Sequence, residues 1–249
     1  STIGEEKASN SALQPMSEDE FVTMIVADQP FVPQYFGYDV ALNEKGAPAF
    51  RPSVEAVERL SQNYESTGDT LVIDGRKEAA FKKGHAKKAY NIQQGAKFET
   101  WLGSIVAPEE PYYLVAEDEE TLTDLIAKTA KIGYERFIKG AFVLTEAEEA
   151  ISAQLDRDDF EANPEAYTIV DVRNAPEVAK ESFFAHAINI PLPELRERAA
   201  EVPRDKPVVV HCAGGYRSAI GSSMLEAALP GTTVLDLSEA VNDFKPQTA

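Results

Sequence analysis

One cysteine occurs in the 249 residues, Cys212, and the stretch around it, residues 208–218, reads Val-Val-Val-His-Cys-Ala-Gly-Gly-Tyr-Arg-Ser. An apolar strand there runs into a glycine-rich turn and then a helix. Consecutive backbone N–H groups of such a turn can converge on one sulfur, and the helix adds the positive end of its dipole. Both favour thiolate over thiol, and the thiolate is the nucleophile. A lone cysteine is more often a small buried hydrophobe. A packing role requires none of Gly214, Gly215 and Arg217, so the pattern points to nucleophilic sulfur chemistry. The three histidines, His85, His186 and His211, are far apart in sequence, a poor basis for a metal site. Dinucleotide and phosphate-loop glycine motifs are lacking, so no cofactor is expected.

Four residues separate Cys212 from Arg217. This loop resembles the active-site loop of the rhodanese family. The resemblance implies that Cys212 takes a sulfane sulfur from a donor, holds it as a persulfide and passes it to a thiophilic acceptor. The backbone amides of Ala213, Gly214, Gly215, Tyr216, Arg217 and Ser218 would cradle the charged sulfur without reorganisation. Arg217 has two open roles: it faces the mouth toward an anionic donor, or it folds back onto a carboxylate and braces the loop. Partners are then small sulfur donors, thiosulfate or a low-molecular-weight persulfide, and thiol acceptors. Two alternatives come from other classes. Phosphatases and arsenate reductases of the related fold also use a cysteine-and-arginine loop, but a longer one that fits a tetrahedral oxyanion, and the short spacing here favours sulfur. A docking or sensing module needs no cysteine loop at all.

The elements that position this loop are legible in an internal repeat. Thr70-Leu-Val-Ile-Asp74-Gly-Arg76, Phe81, His85-Ala and Asn91-Ile92 recur as Tyr167-Thr-Ile-Val-Asp171-Val-Arg173, Phe184, His186-Ala and Asn189-Ile190. The offset of about 100 residues is the size of one small domain. Short apolar strands alternating with helical stretches predict an α/β fold, two rhodanese-like domains each with a small, mainly parallel sheet flanked by helices and active loops at the strands' carboxyl ends. The predicted division is residues 1–50 as an ordered strap, 51–142 as a domain without the cysteine, and 143–249 as the domain carrying Cys212. Helix starts are predicted at Ser53 and at the capping-box spacing of Thr145 and Glu148. Where the second copy has its cysteine, the first has Ala116-Glu-Asp118, which cannot form a persulfide.

Asp171 and Arg173 are expected to tie the second domain together, with Arg173 also a candidate for meeting an anionic donor. His186 is expected to be a structural histidine bonded to backbone. His211, adjacent to the cysteine, should point away from it on an extended strand. Phe98 and Trp101 read as core or interface residues. The family's glycine-rich turn after the last strand is replaced by Ser238 and Glu239, which alters the expected rim of the pocket.

A balance of 42 acidic against 24 basic residues gives a net charge of −18, which disfavours nucleic acid and anionic membranes as partners. The basic cluster of Lys82, Lys83, Lys87 and Lys88 reads as a solvated element end. Unpaired cysteine usage fits a reducing compartment, and neither a signal-peptide pattern nor an apolar span occurs, so a cytoplasmic location is expected. Residues 17–26 carry a capping box, Ser17 to Glu20, ahead of an apolar run. Residues 1–7, 11–13 and 33–36 resemble the junction in bacterial fusion proteins that place a metallo-β-lactamase-like domain ahead of two rhodanese domains. That resemblance covers nearly the whole chain, and it implies a metallo-β-lactamase-like domain of the same polypeptide as a partner, of the persulfide dioxygenase type.

Overall fold

Runs of β-branched and aromatic residues form the strands, because such side chains pack well on a pleated surface buried on both faces. The structure, a computed structural model, describes residues 1–27, 31–65, 68–145 and 149–245. The chain divides into two units, one of residues 1–32 and one beginning at Pro33. The first holds α1 (Ile3–Ser9) and α2 (Glu18–Val26), each opened by a capping box, Thr2 with Glu5 and Ser17 with Glu20. Among the described residues no helix is long and apolar enough to cross a membrane.

The second unit begins with α3 (Tyr35–Lys45) and α4 (Phe50–Glu55). A first set of elements follows: β1 (Leu71–Asp74), α5 (Glu78–Lys83), β2 (Ala89–Asn91), α6 (Phe98–Ile105), β3 (Tyr112–Ala116), α7 (Glu119–Ala130) and β4 (Ile138–Val143). The second set is α8 (Arg157–Ala162), β5 (Thr168–Asp171), α9 (Ala175–Lys180), β6 (Ile188–Asn189), α10 (Leu195–Arg198), β7 (Val208–His211), α11 (Tyr216–Ala228) and β8 (Val234–Asp236). The strands form two four-stranded parallel sheets, ordered β2-β1-β3-β4 and β6-β5-β7-β8. The order is the same in both. Register also corresponds: Asp74 pairs beside Asn91, and Asp171 beside Asn189.

These conserved-in-position side chains of the repeat have one physical task. Each aspartate binds the guanidinium two residues on, and each asparagine amide donates to two carbonyls of that turn. Asn91 reaches the carbonyls of Asp74 and Arg76 at 3.1 and 2.9 Å, and Asn189 those of Asp171 and Arg173 at 2.9 and 2.8 Å. The turn after the strand is thereby fixed to the neighbouring strand.

One apolar cluster runs through both sets of elements, with Ile73, Tyr90, Ile92 and Leu114 from the first and Val170, Val208, Val210, Ile220 and Met224 from the second. Its axis is α11, in which residues 218–225 are all buried. A helix apolar and small all round belongs in a core. It packs against its own sheet and against β2 of the other, where the Asn91 N–H donates to Ser223 Oγ at 2.9 Å. That bond satisfies a backbone donor on a sheet edge, which would otherwise be buried without a partner.

Three local expectations change. Residues 35–45 are a helix where a strap was expected: Tyr35 lies against Gly103, and the Tyr38 hydroxyl donates to the Gly133 carbonyl at 3.3 Å. Close approach to the two glycines lets these aromatics seat, a packing gain that no local propensity encodes. Ser53 lies inside α4, whose start at Ala49 has no side-chain cap. The predicted capping box at residues 145–148 falls largely outside the described residues. Residues 151–155 are not helical, Ile151 is 70% exposed, and Ala150 forms an antiparallel bridge with His85. Backbone pairing with the first set of elements takes the place of the amphipathic helix, and the helix comes later, at Asp156, whose carboxylate caps α8.

Candidate active site

Cys212 directly follows β7 and precedes the glycine turn that opens α11. Its sulfur is reached by two backbone donors, the Gly215 N–H at 3.2 Å and the Gly214 N–H at 3.5 Å. The amides of Tyr216, Arg217 and Ser218 belong to the first turn of α11, where N–H groups have no intrahelical acceptor. Cys212, 2% exposed, therefore lies beside the unpaired N–H groups of a helix start, with the two glycine donors directed at its sulfur. Ser218 is turned away from the sulfur, its hydroxyl donating to the Gly215 carbonyl at 2.9 Å.

Gly215 caps the helix with φ +102°, a conformation L side chains rarely adopt, and a β-carbon on it would lie 3.2 Å from the Glu239 nitrogen. Gly215→Ala should therefore displace the turn, costing about 1–3 kcal/mol in backbone strain. The expected result is a lowered urea midpoint together with slower alkylation of Cys212, checked by denaturation and by intact mass after iodoacetamide. An unchanged alkylation rate would separate the Gly215 N–H from the reactivity of the sulfur.

Of the two roles open to Arg217, the structure shows the bracing one. Its guanidinium makes a two-pronged pair with Glu177 at 2.7 and 2.8 Å, and Glu177 also accepts the Asn174 N–H at 3.1 Å. The hydrogen bonds from Arg217 hold the Glu177 carboxyl below its ordinary range, against the opposing effect of burial. Burial disfavours the charge on Arg217, and Glu177, with Cys212 and Asp171, more than restores it. Arg173 is equally engaged: its Nε and Nη2 grip Asp171 at 2.6 to 3.0 Å, Nη2 also donates to the Glu181 carbonyl, and the guanidinium lies 3.8 Å from the Phe183 ring centre. Tyr216, at the mouth in sequence, donates its hydroxyl to the Gln93 carbonyl at 2.7 Å and so ties α11 to the loop after β2.

The two histidines of the second copy part company. His211 is fully buried, 3.6 Å from Asp171 and edge-on to Phe184, and burial lowers its pKa, against the opposing pull of Asp171. The expectation of a structural, backbone-bonded His186 is corrected: its side chain is 78% exposed, with its Nε2 3.6 Å from a Glu165 carboxylate oxygen. In the first copy His85, of the same His-Ala pair, is buried, stacks on Phe81 at 3.9 Å and meets the Phe81 carbonyl at 2.9 Å. In the second copy Phe184 packs on the Phe160, His211 and Phe244 rings.

In the first sheet Ala116 stands in the register position of Cys212, and the helix start that follows is capped by a side chain of the chain itself. Asp118 caps α7 and accepts the Thr121 N–H at 2.7 Å, so a carboxylate of the chain occupies the helix start. Phe98 is fully buried and Trp101 packs on the core, the role expected of both. Lys82 corrects the reading of a solvated basic cluster: it bonds Glu78 and Asp236 and is mostly covered. Glu177, Glu78 and Asp236 were missed in the sequence. Only Glu177 left a signal, the capping-box spacing from Asn174.

A family model, the Rhodanese-like domain, matches residues 153–247. Residues 153–247 form a rhodanese-like domain. This domain contains the whole cysteine loop, Arg173, Glu177 and the β6-β5-β7-β8 sheet. No curated protein matches the chain. Among solved structures, the chain is similar to a rhodanese-related protein from Thermoplasma volcanium, with 35% identity over 37% of this chain and 88% of that one, TM-score 0.33. It is similar to a metallo-beta-lactamase from Staphylococcus aureus, with 24% identity over 57% of this chain and 40% of that one, TM-score 0.47. It is also similar to a thiosulfate sulfurtransferase from Pseudomonas aeruginosa, with 21% identity over 68% of this chain and 38% of that one, TM-score 0.32. The chain thus spans most of the Thermoplasma protein and about two fifths of each of the other two.

Proposed function

We propose that this chain is a sulfurtransferase that carries a sulfane sulfur on Cys212 between a small donor, thiosulfate or a low-molecular-weight persulfide, and a thiophilic acceptor. The observation that supports it is the pair of glycine N–H groups aimed at the sulfur at the mouth of a helix within a rhodanese-like domain. The Cys212 thiolate attacks the outer sulfur of the donor. A new S–S bond forms, the donor's S–S bond breaks, and the leaving group, sulfite from thiosulfate or a thiolate from a persulfide, departs with the electron pair. The loop amides then face the negative outer sulfur of Cys–S–S⁻. An acceptor thiolate or cyanide attacks that sulfur and Cys212 leaves as the thiolate, so no net oxidant or reductant enters.

Arg217, held on Glu177, contributes positive charge beside the loop without being free to clamp an oxyanion. The four-residue interval and this bracing favour sulfur over the phosphate or arsenate chemistry of related loops. The arrangement of the first sheet, with the strand order of the second but Ala116 in the register position of the cysteine and an aspartate capping the next helix, supports a tandem pair in which only the second member reacts. The test is intact mass after incubation with thiosulfate and, separately, with glutathione persulfide. The expected result is a gain of one sulfur that cyanide removes. No gain from either donor, with turnover of a phosphate ester, would overturn the reading.

The junction-like residues 1–7, 11–13 and 33–36 support a further part of the proposal, that the chain serves as the sulfur-transfer part of a polypeptide that also holds a metallo-β-lactamase-like domain. A histidine-rich metal motif in the same open reading frame is the expected observation. Its absence removes the fusion reading and leaves sulfur transfer intact.

A further inference from the structure

The rim behind the cysteine loop is built from both sheets. The chain leaves β8 at Asp236 and passes through Leu237 to Ser238, which has φ +51°, in the left-handed region that disfavours any residue with a β-carbon. Two hydrogen bonds hold Ser238 there. Its N–H donates to Asp236 Oδ1 at 2.8 Å, and its hydroxyl donates to Glu78 Oε2 at 2.9 Å. Glu78 opens α5, in the half of the unit that has no cysteine, 160 residues away in sequence. Lys82, one turn further along α5, bridges Glu78 and Asp236, the latter at 3.0 Å. Burial pushes Asp236 up to about 6, with Lys82 acting to lower it.

The segment so held is the one that backs onto the glycine turn. At the position of a Gly215 β-carbon the nearest atoms are the Glu239 nitrogen at 3.2 Å and the Ser238 carbonyl carbon at 3.3 Å. Gly215 in turn supplies the shorter of the two donors to the Cys212 sulfur. Contacts therefore run unbroken from Glu78 through Ser238 and Gly215 to the thiol.

We infer that Glu78 is a positioning residue for Cys212: by holding Ser238 in its left-handed conformation it keeps the rim seated against Gly215 and so aims the Gly215 N–H at the sulfur. The cysteine-less half is then a working part of the site. The inference deepens the proposed sulfur transfer and rests on it for the role of the thiol. Alkylation of the thiol and its loading with sulfur are separate measurements, so the two can fail separately.

The experiment follows iodoacetamide alkylation of Cys212 at neutral pH by intact mass, in the full chain. Glu78→Ala should slow it about threefold to tenfold, the range a single side-chain hydrogen bond supports. Glu78→Gln should stay within about twofold of the native rate, because its amide still reaches the Ser238 hydroxyl. In a Ser238→Gly background Glu78→Ala should have no further effect, since glycine takes positive φ without help. Native-rate alkylation in Glu78→Ala, equal slowing in both backgrounds, or Gln as slow as Ala would overturn the inference. Should Glu78→Ala fail to fold, Ser238→Ala deletes the same bond from the other end and is held to the same loss. If thiosulfate and glutathione persulfide fail to load the native chain while this pattern holds, the sulfur-transfer reading falls and the positioning role stands.

Discussion

Cys212→Ser is expected to abolish sulfur loading: after thiosulfate or glutathione persulfide the variant should keep its starting mass, and cyanide-dependent turnover should drop to the level of buffer. The physical reason is that the transferred sulfur must bond to a thiolate, and a serine hydroxyl neither ionises near neutrality nor forms a persulfide. No second thiol exists in the chain to take over. The substitution is close to isosteric, and the Gly214 and Gly215 N–H groups that face the sulfur can donate to a hydroxyl oxygen, so the fold should persist. Far-UV circular dichroism and a thermal melt matching the native chain's establish that the loss is chemical. Sulfur loading retained by the serine variant would place the carrier elsewhere and sink the role given to Cys212.

Asp171→Ala is expected to have the largest effect on stability. Asp171 is 1% exposed and Arg173 is 3% exposed, and the carboxylate takes the Arg173 side chain as well as its backbone N–H at 2.9 Å. Removing the acid leaves a guanidinium, which does not deprotonate, buried with a carbonyl and the Phe183 ring. Breaking a buried pair this way costs about 3–5 kcal/mol, a large share of the roughly 5–15 kcal/mol that folded domains possess. The melting temperature should fall by roughly 6–20 °C. Because the cost comes from the stranded charge, Asp171→Asn with Arg173→Met should recover part of it. A double variant as unstable as Asp171→Ala would show that the turn geometry, which the backbone bond to Asp171 also fixes, dominates instead. Differential scanning calorimetry of the variants reads both outcomes.

The two copies share a scaffold and differ at the loop. Both have the same strand order and the same aspartate, arginine and asparagine clasp, so the scaffold is equivalent. The difference lies in what meets the helix start after the third strand of each set. In the second copy it is a glycine turn around a buried thiol, with Gly214 exposed and Gly215 buried. In the first it is Asp118, which satisfies the helix from within and presents negative charge to any anionic donor. The first copy instead contributes β2, the Gln93 carbonyl and the Glu78–Lys82 pair to the surroundings of α11.

Much of this was legible in the sequence because the signals were local. The strand–glycine–helix order around Cys212, the interval to Arg217 and the repeated Asp-x-Arg each involve neighbours along the chain, and short-range backbone geometry follows from them. The alternation of short apolar runs with helical segments was enough for parallel sheets, since parallel strands require crossovers. Those features determined the α/β class, the carboxyl-end placement of the loop and the candidate nucleophile. Tertiary structure alone decided which partner each long polar side chain takes. Arg217 could have met an anion or a carboxylate, and Glu177, 40 residues earlier, resolved the choice. His85 and His186 each open a repeated His-Ala pair, yet one is stacked on Phe81 in the core and the other is in solvent. The bond from Glu78 to Ser238 crosses 160 residues and joins two sheets, a distance at which no periodicity or propensity carries information.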